Sequence, residues 1–113
     1  MDRPQFEELV AQALDEIPTE LARQMNNVVV VVEEESAAGN LLGLYEGYAL
    51  TERGWDYGSA APLPDQITVY RQPILRMCDT EGQVAEQIRI TVVHEVAHHF
   101  GIDDDRLHEL GWD

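Results

Sequence analysis

The stretch EGQVAEQIRITVVHEVAHHFGIDDD, residues 81–105, decides the fold of this chain. It contains no proline, and no glycine stands between Gly82 and Gly101, so nothing interrupts a helix there. We predict a helix over residues 81–100 that is largely buried, because its apolar side chains surround most of its axis. Gly101 ends the helix, since glycine adopts a positive φ at little cost. The apolar positions are Val84, Ile88, Val92, Val93, Val96, Ala97 and Phe100.

Further helices are predicted on both sides of this stretch. Asp2 is a potential N-cap before Pro4, and apolar residues follow at helical spacing until Pro18, which indicates an amphipathic helix packed on the core. Shorter helical pieces are expected over residues 19–25, over residues 73–77, and from a cap at Asp103 or Asp104 to Leu110.

Strand signals lie between the helical segments. Residues 27–33 form a valine run of β-branched character, and the glutamates at 33–35 are its expected solvated end. Residues 67–70 are a second predicted strand. Residues 41–50, which lie between glycines, predict a short strand or hairpin, and the segment 51–66 predicts a surface loop.

Size and composition indicate one globular domain over residues 1–113. The chain has 44% hydrophobic and 26% charged residues, which is ordinary for a folded protein. Its longest apolar run, residues 28–32, is far shorter than the roughly 20 residues that cross a bilayer, and the start lacks the apolar core of a signal peptide. We therefore expect a soluble cytoplasmic protein, and the single cysteine, Cys78, agrees with a reducing compartment.

The charge of the chain excludes some classes of partner. Seven basic residues against 22 acidic ones give a formal charge of −15. This acidity repels phosphate backbones and anionic lipids, so we expect neither nucleic acid nor membrane as a partner.

All four histidines fall within 15 residues, and two of them frame the pattern His94-Glu95-x-x-His98. On a helix, histidines four residues apart share one face about 6 Å from each other and can clamp one metal ion. Glu95 is one helical step away, so it lies beside the metal without binding it. A carboxylate there can take the proton of a metal-bound water as that water attacks a carbonyl.

A catalytic zinc site needs a third protein ligand, and we predict that Asp104 is this ligand. It stands six residues after His98, and a turn at Gly101 would return the chain to the metal. A metzincin would place histidine there and a methionine turn after it, and this chain has neither. The remaining alternatives for the third ligand are Asp103, Asp105, His108 and Glu109.

Other polar residues have simpler interpretations. His99 points away from His94 and is expected to be structural and open to solvent. Cys78 is expected to be a packed or half-exposed thiol. The four tyrosines could donate to an oxyanion, although core or rim positions are favoured: Tyr45, Tyr48, Tyr57 and Tyr70.

Residues 91–107 resemble the small bacterial zincin-like metallopeptidases, sometimes called minimal metalloproteases. The likeness continues into residues 110–112, and residues 41–47 and 63–67 also resemble family segments. It implies an α/β (α+β) fold in which a small mixed sheet packs against the metal helix. It also implies Zn²⁺ held by His94, His98 and Asp104, with Glu95 as catalytic acid/base. An edge strand, either 27–33 or 67–70, would bind an extended peptide.

Three functions follow from this pattern. The leading prediction is a zinc metallopeptidase acting on a peptide or protein substrate, and the alternative is a metal- or peptide-binding module with little or no turnover. A non-haem Fe(II) oxygenase is a third class, because two histidines and a carboxylate also form that site. The oligomeric state stays open.

Overall fold

The computed structural model describes residues 1–23, 25, 28–37, 39–47 and 65–109, except for the side chains of residues 20, 21, 104 and 107. These residues form five helices and three strands in an α+β arrangement. In chain order the elements are α1 (Arg3–Asp15), α2 (Thr19–Ala22), β1 (Val28–Glu33), β2 (Gly43–Glu46), β3 (Asp65–Tyr70), α3 (Arg71–Arg76), α4 (Glu81–His99) and α5 (Asp104–Glu109).

The three strands form one mixed sheet in the order β1-β3-β2. β1 pairs parallel to β3, with Val30 opposite Ile67, and β2 pairs antiparallel to β3, with Tyr45 opposite Ile67. Ile67 and Val69 of the central strand are fully buried against the helical layer. The predicted combination of a small mixed sheet with a buried helix is confirmed.

α4 supplies much of the core. Its N-cap Thr80 accepts a hydrogen bond from the Gln83 backbone N–H, which satisfies one of the free donors of the first turn. Residues at four-residue spacing then form a buried stripe that packs against the sheet and against α1. The stripe consists of Val84, Ile88, Val92 and Val96.

The amphipathic helix predicted after Asp2 is also confirmed. Asp2 and Gln5 form a capping box at the start of α1. The buried face of α1 contains Phe6, Val10 and Ala13. None of the described helices is long and apolar enough to cross a lipid bilayer.

The structure corrects the sequence-based prediction around residue 65. Most of the predicted loop 51–66 lies outside the described residues, but its last two residues belong to β3. Asp65 is therefore the first residue of a central strand and is only 2% exposed. Because β3 is central, the prediction that residues 67–70 form an edge strand is wrong.

Glu34 is partly exposed to solvent at the end of β1, as predicted, but its carboxylate also joins neighbouring elements. Its carboxylate accepts hydrogen bonds from Arg71 Nη1 at 2.7 Å and from Gln72 Nε2 at 3.0 Å. Arg3 Nη1 lies 3.4 Å from the other carboxylate oxygen. Glu34 thus connects the end of β1 to α1 and α3. The Gln72 hydrogen bond, followed by the hydrogen bond and charge of Arg71, lowers the pKa of Glu34.

Replacing Glu34 should make the stability of the protein less sensitive to acid. A lowered pKa in the folded state stabilises the fold above the ordinary pKa of the group, and this contribution is lost as the pH falls through the lowered value. Glu34→Gln should therefore lower the melting temperature at neutral pH, and the difference from the unaltered protein should shrink in acid. Thermal unfolding followed by circular dichroism across pH 3 to 7 measures this, with the exposed Glu33→Gln as control. A constant difference at every pH would contradict it.

Candidate metal centre

A cleft of about 620 Å³ lies between α4 and residues 41–45, which lead into and form most of β2. Among the edge strands, it is therefore β2 that borders the cleft. Our prediction that the strand at 27–33 would do so is not supported, because β1 occupies the opposite edge of the sheet. The α4 wall of the cleft consists of Gln87, Ile90, Thr91, His94, Glu95 and His98.

His94 and His98 lie one turn apart on the cleft side of α4. Their ring centroids are 5.9 Å apart and the ring planes are inclined at 79°. The His98 side chain is 50% exposed, so it is open to the cleft rather than packed in the core. The predicted pairing of the two imidazoles on one helix face is therefore present, and their spacing suits the binding of one ion between them.

Glu95 lies between the two histidines in sequence and faces the same cleft. Its side chain is 12% exposed, and its Oε1 lies 3.2 Å from His98 Nδ1. In the tautomer that carries its proton on Nδ1, His98 donates to this carboxylate and keeps a lone pair on Nε2. Glu95 thus contacts the His98 ring and is more sheltered from solvent than His98.

The turn after α4 has the form that the sequence predicted. Gly101 has a φ of +70°. Its N–H donates to the His98 carbonyl at 3.1 Å, and the Ile102 N–H donates to the Ala97 carbonyl at 2.8 Å. This pair of bonds is a Schellman motif, which ends the helix and reverses the chain immediately after the histidines.

The predicted third ligand, Asp104, follows this turn directly. Asp104 is the first residue of α5, and its side chain lies outside the described set. Asp103 accepts a hydrogen bond from the Arg106 backbone N–H at 2.8 Å and so caps α5. Among the side chains that the structure describes, no three His, Cys, Asp or Glu residues are grouped closely enough to hold a metal.

His99 is structural, as predicted, but its expected exposure is wrong. It is 0% exposed, and its Nδ1 lies 2.9 Å from Asp65 Oδ2. Helical spacing could have revealed the burial, since His99 follows Val92 by seven residues and Val96 by three. No sequence signal would have identified Asp65 as its partner, because 34 residues separate the two.

The two described tyrosines and the cysteine have positions that the packing of the fold explains. The Tyr45 hydroxyl donates to Asp65 Oδ2 at 2.6 Å, and Tyr70 is buried on β3. Tyr48 and Tyr57 lie outside the described residues. Burial, followed by the charge of Asp79, raises the pKa of the Cys78 thiol, which disfavours the reactive thiolate.

Comparison with known proteins agrees with the fold. The family profile described as zincin-like metallopeptidase matches residues 25–112. A solved structure, a conserved hypothetical protein from T. thermophilus, superimposes with a TM-score of 0.60 at 21% identity, over 99% of this chain and 100% of the other. The search of curated proteins gives no significant match.

Gly43 allows β2 to approach α4 closely beside Glu95. A Cβ atom at Gly43 would lie 2.7 Å from Thr91 Cγ2 and 3.1 Å from Glu95 Cγ. Both distances are shorter than ordinary van der Waals contact. The absence of a side chain at Gly43 therefore sets how near the edge strand lies to the candidate catalytic carboxylate.

Gly43→Ala should destabilise the protein by about 1–3 kcal/mol, because the new methyl group overpacks the interface between β2 and α4. Urea unfolding measures this difference. The control is Gly82→Ala in the first turn of α4, where the nearest atom to a new Cβ is 3.9 Å away. That control should be neutral or slightly stabilising. Equal stability of the two variants would show that the approach at Gly43 is not tight.

Proposed function

Because the chain belongs to the zincin-like metallopeptidase family, we propose that it is a zinc-dependent peptidase. His94 and His98 bind the metal, Asp104 completes the ligand set, and Glu95 is the catalytic base. The observation that carries the proposal is the position of His94, Glu95 and His98 along one wall of a single open cleft.

The imidazoles of His94 and His98 are donors of the kind that zinc binds in proteins. Two imidazoles on one helix face are a common half of a catalytic zinc site, which takes three protein ligands and keeps one position open. The turn at Gly101 sends the chain back on itself before Asp104, which supports a carboxylate as the third ligand. Zinc bound there would polarise a substrate carbonyl and make water more acidic.

Glu95 performs the proton transfers in this proposal. Its carboxylate lies beside the His98 imidazole and lines the same cleft as His94, and a general base must lie within hydrogen-bond reach of the proton that it removes. It takes the proton of the attacking water and delivers it to the amine of the leaving peptide. The low exposure of Glu95 limits competition from bulk water for the same oxygen atoms.

The substrate lies along β2 as an extended peptide. Among the described strands, β2 pairs only with β3, so its other edge can offer backbone groups to an added strand. Apolar side chains near this edge give the cleft affinity for apolar residues of the peptide. They belong to Leu41, Leu42, Leu44 and Ile90.

Glu95→Gln tests the catalytic step. The amide keeps the shape of the side chain but cannot accept the proton, so turnover of a fluorogenic peptide library should fall by about 100-fold or more. Zinc content should stay at the level of the unaltered protein, because Glu95 is not a ligand. If the unaltered protein and the variant cleave no peptide while both bind zinc, the binding-module alternative is correct.

Removal of the proposed ligands tests the metal site. Elemental analysis should find about one zinc ion per chain in the unaltered protein. His94→Ala should lose the metal, and Asp104→Ala should bind it more weakly. His108→Ala tests an alternative ligand and should keep the metal, since His108 is an exposed histidine of α5. Equal metal content in all four proteins would contradict the assignment of His94 and Asp104.

A further inference from the structure

A polar cluster connects the two walls of the cleft, and two of its three members are buried. It consists of Tyr45 on β2, Asp65 on β3 and His99 on α4, and we name it the Asp65 clamp. Asp65 is 2% exposed and His99 is 0% exposed. None of the three residues is among the proposed zinc ligands or is the catalytic base, so the cluster has no role yet in the proposed reaction.

Both donors of the clamp reach the same carboxylate oxygen. The Tyr45 hydroxyl donates to Asp65 Oδ2 at 2.6 Å, and His99 Nδ1 lies 2.9 Å from that atom. The rings of Tyr45 and His99 meet edge to face, with centroids 6.0 Å apart. A carboxylate buried this deeply is stable only when it is hydrogen-bonded, so both donors are held firmly.

The backbone closes over the clamp just after β2. Gly47 has a φ of +142°, and a side chain there would overlap Asp65 Oδ1. His99 Nε2 is buried and has no hydrogen-bond partner among the described residues. Within the described part of the chain, Asp65 is therefore the hydrogen-bonding group that orients the His99 ring.

We propose that the Asp65 clamp positions the metal helix against the peptide-binding strand, which makes all three members positioning residues. This inference rests on the proposed function. His99 directly follows His98, so its bond to Asp65 restrains rotation of the last turn of α4. Tyr45 belongs to β2, so its bond to the same oxygen atom restrains the opposite wall of the cleft.

The side chains of the site do not fix α4 against β2, because Glu95 and His98, which lie 3.2 Å apart, both belong to α4. His98 is 50% exposed, and its ring position depends on the helix that carries it. Metal and catalytic groups work within about 0.5 Å and 10–20° of the productive geometry. A small rotation of the last helical turn would exceed that limit at the His98 ring.

Two variants test the clamp in the Co²⁺-loaded protein. Asp65→Asn weakens the bonds to both His99 and Tyr45, because both end on Asp65 Oδ2, so the visible Co²⁺ spectrum should change and Co²⁺ affinity against a chromophoric chelator should fall about tenfold. Tyr45→Phe removes only the strand donor, so the spectrum and the Co²⁺ affinity should stay unchanged.

Two hydroxamate ligands report on the bond between Tyr45 and Asp65, and neither requires turnover. Acetohydroxamate reaches only the metal, whereas a leucine-containing peptide hydroxamate also lies along β2. Tyr45→Phe should weaken the peptide hydroxamate about two- to tenfold, which corresponds to one hydrogen bond, and should leave acetohydroxamate binding unchanged. Tyr70→Phe is the matched control, because it removes a hydroxyl from a buried tyrosine and should change neither ligand.

A purely structural role for the clamp predicts a different result. Both variants would then unfold more readily but, once folded, would keep the spectrum and both hydroxamate affinities of the unaltered protein, and this outcome would overturn the inference. If Asp65→Asn does not fold, the hydroxamate comparison in Tyr45→Phe decides by itself. Failure of the unaltered protein to bind Co²⁺ would overturn the proposed function and the clamp together, whereas Co²⁺ binding with unaffected variants would overturn the clamp alone.

Discussion

The packing of α4 against the sheet is the constraint on which the rest of this structure depends. One side of the helix carries the stripe of Val84, Ile88, Val92 and Val96, and burial of each such side chain contributes about 1.5–3 kcal/mol. The same helix carries His94 and His98 on its cleft side. The residues that stabilise the fold thus also fix the direction in which the candidate site faces, and in a chain of 113 residues one helix serves both purposes.

The contact between α4 and β2 turns this arrangement into a cleft. Gly43 brings the strand backbone close to Thr91 and Glu95, while the Asp65 clamp joins strand and helix. Steric fit and hydrogen bonding thus both act at this interface. A buried carboxylate with two donors is more directional than apolar packing, which tolerates small shifts of neighbouring side chains.

Local patterns predicted most of the secondary structure and the common placement of His94, Glu95 and His98 on one side of α4. These three residues lie within little more than one helical turn. Helix geometry alone therefore places them on a common side of α4. The end of α4 was equally predictable, because Gly101 can adopt the positive φ that the turn requires. The cap at Asp2 and the valine strand are also determined by neighbours in the chain.

Tertiary structure decided the features that depend on residues far apart in sequence. The sheet order made β2 the strand beside the cleft and placed β3 at the centre, and neither position is specified by the local sequence of a strand. The fold also buried Asp65, which stands next to a segment with the composition of a surface loop. By itself, the sequence determined which residues share a helix face, because that depends on a rise and rotation common to all α-helices. Only the tertiary structure brought Tyr45, Asp65 and His99 together, because strand pairing and helix packing set distances that local spacing does not contain.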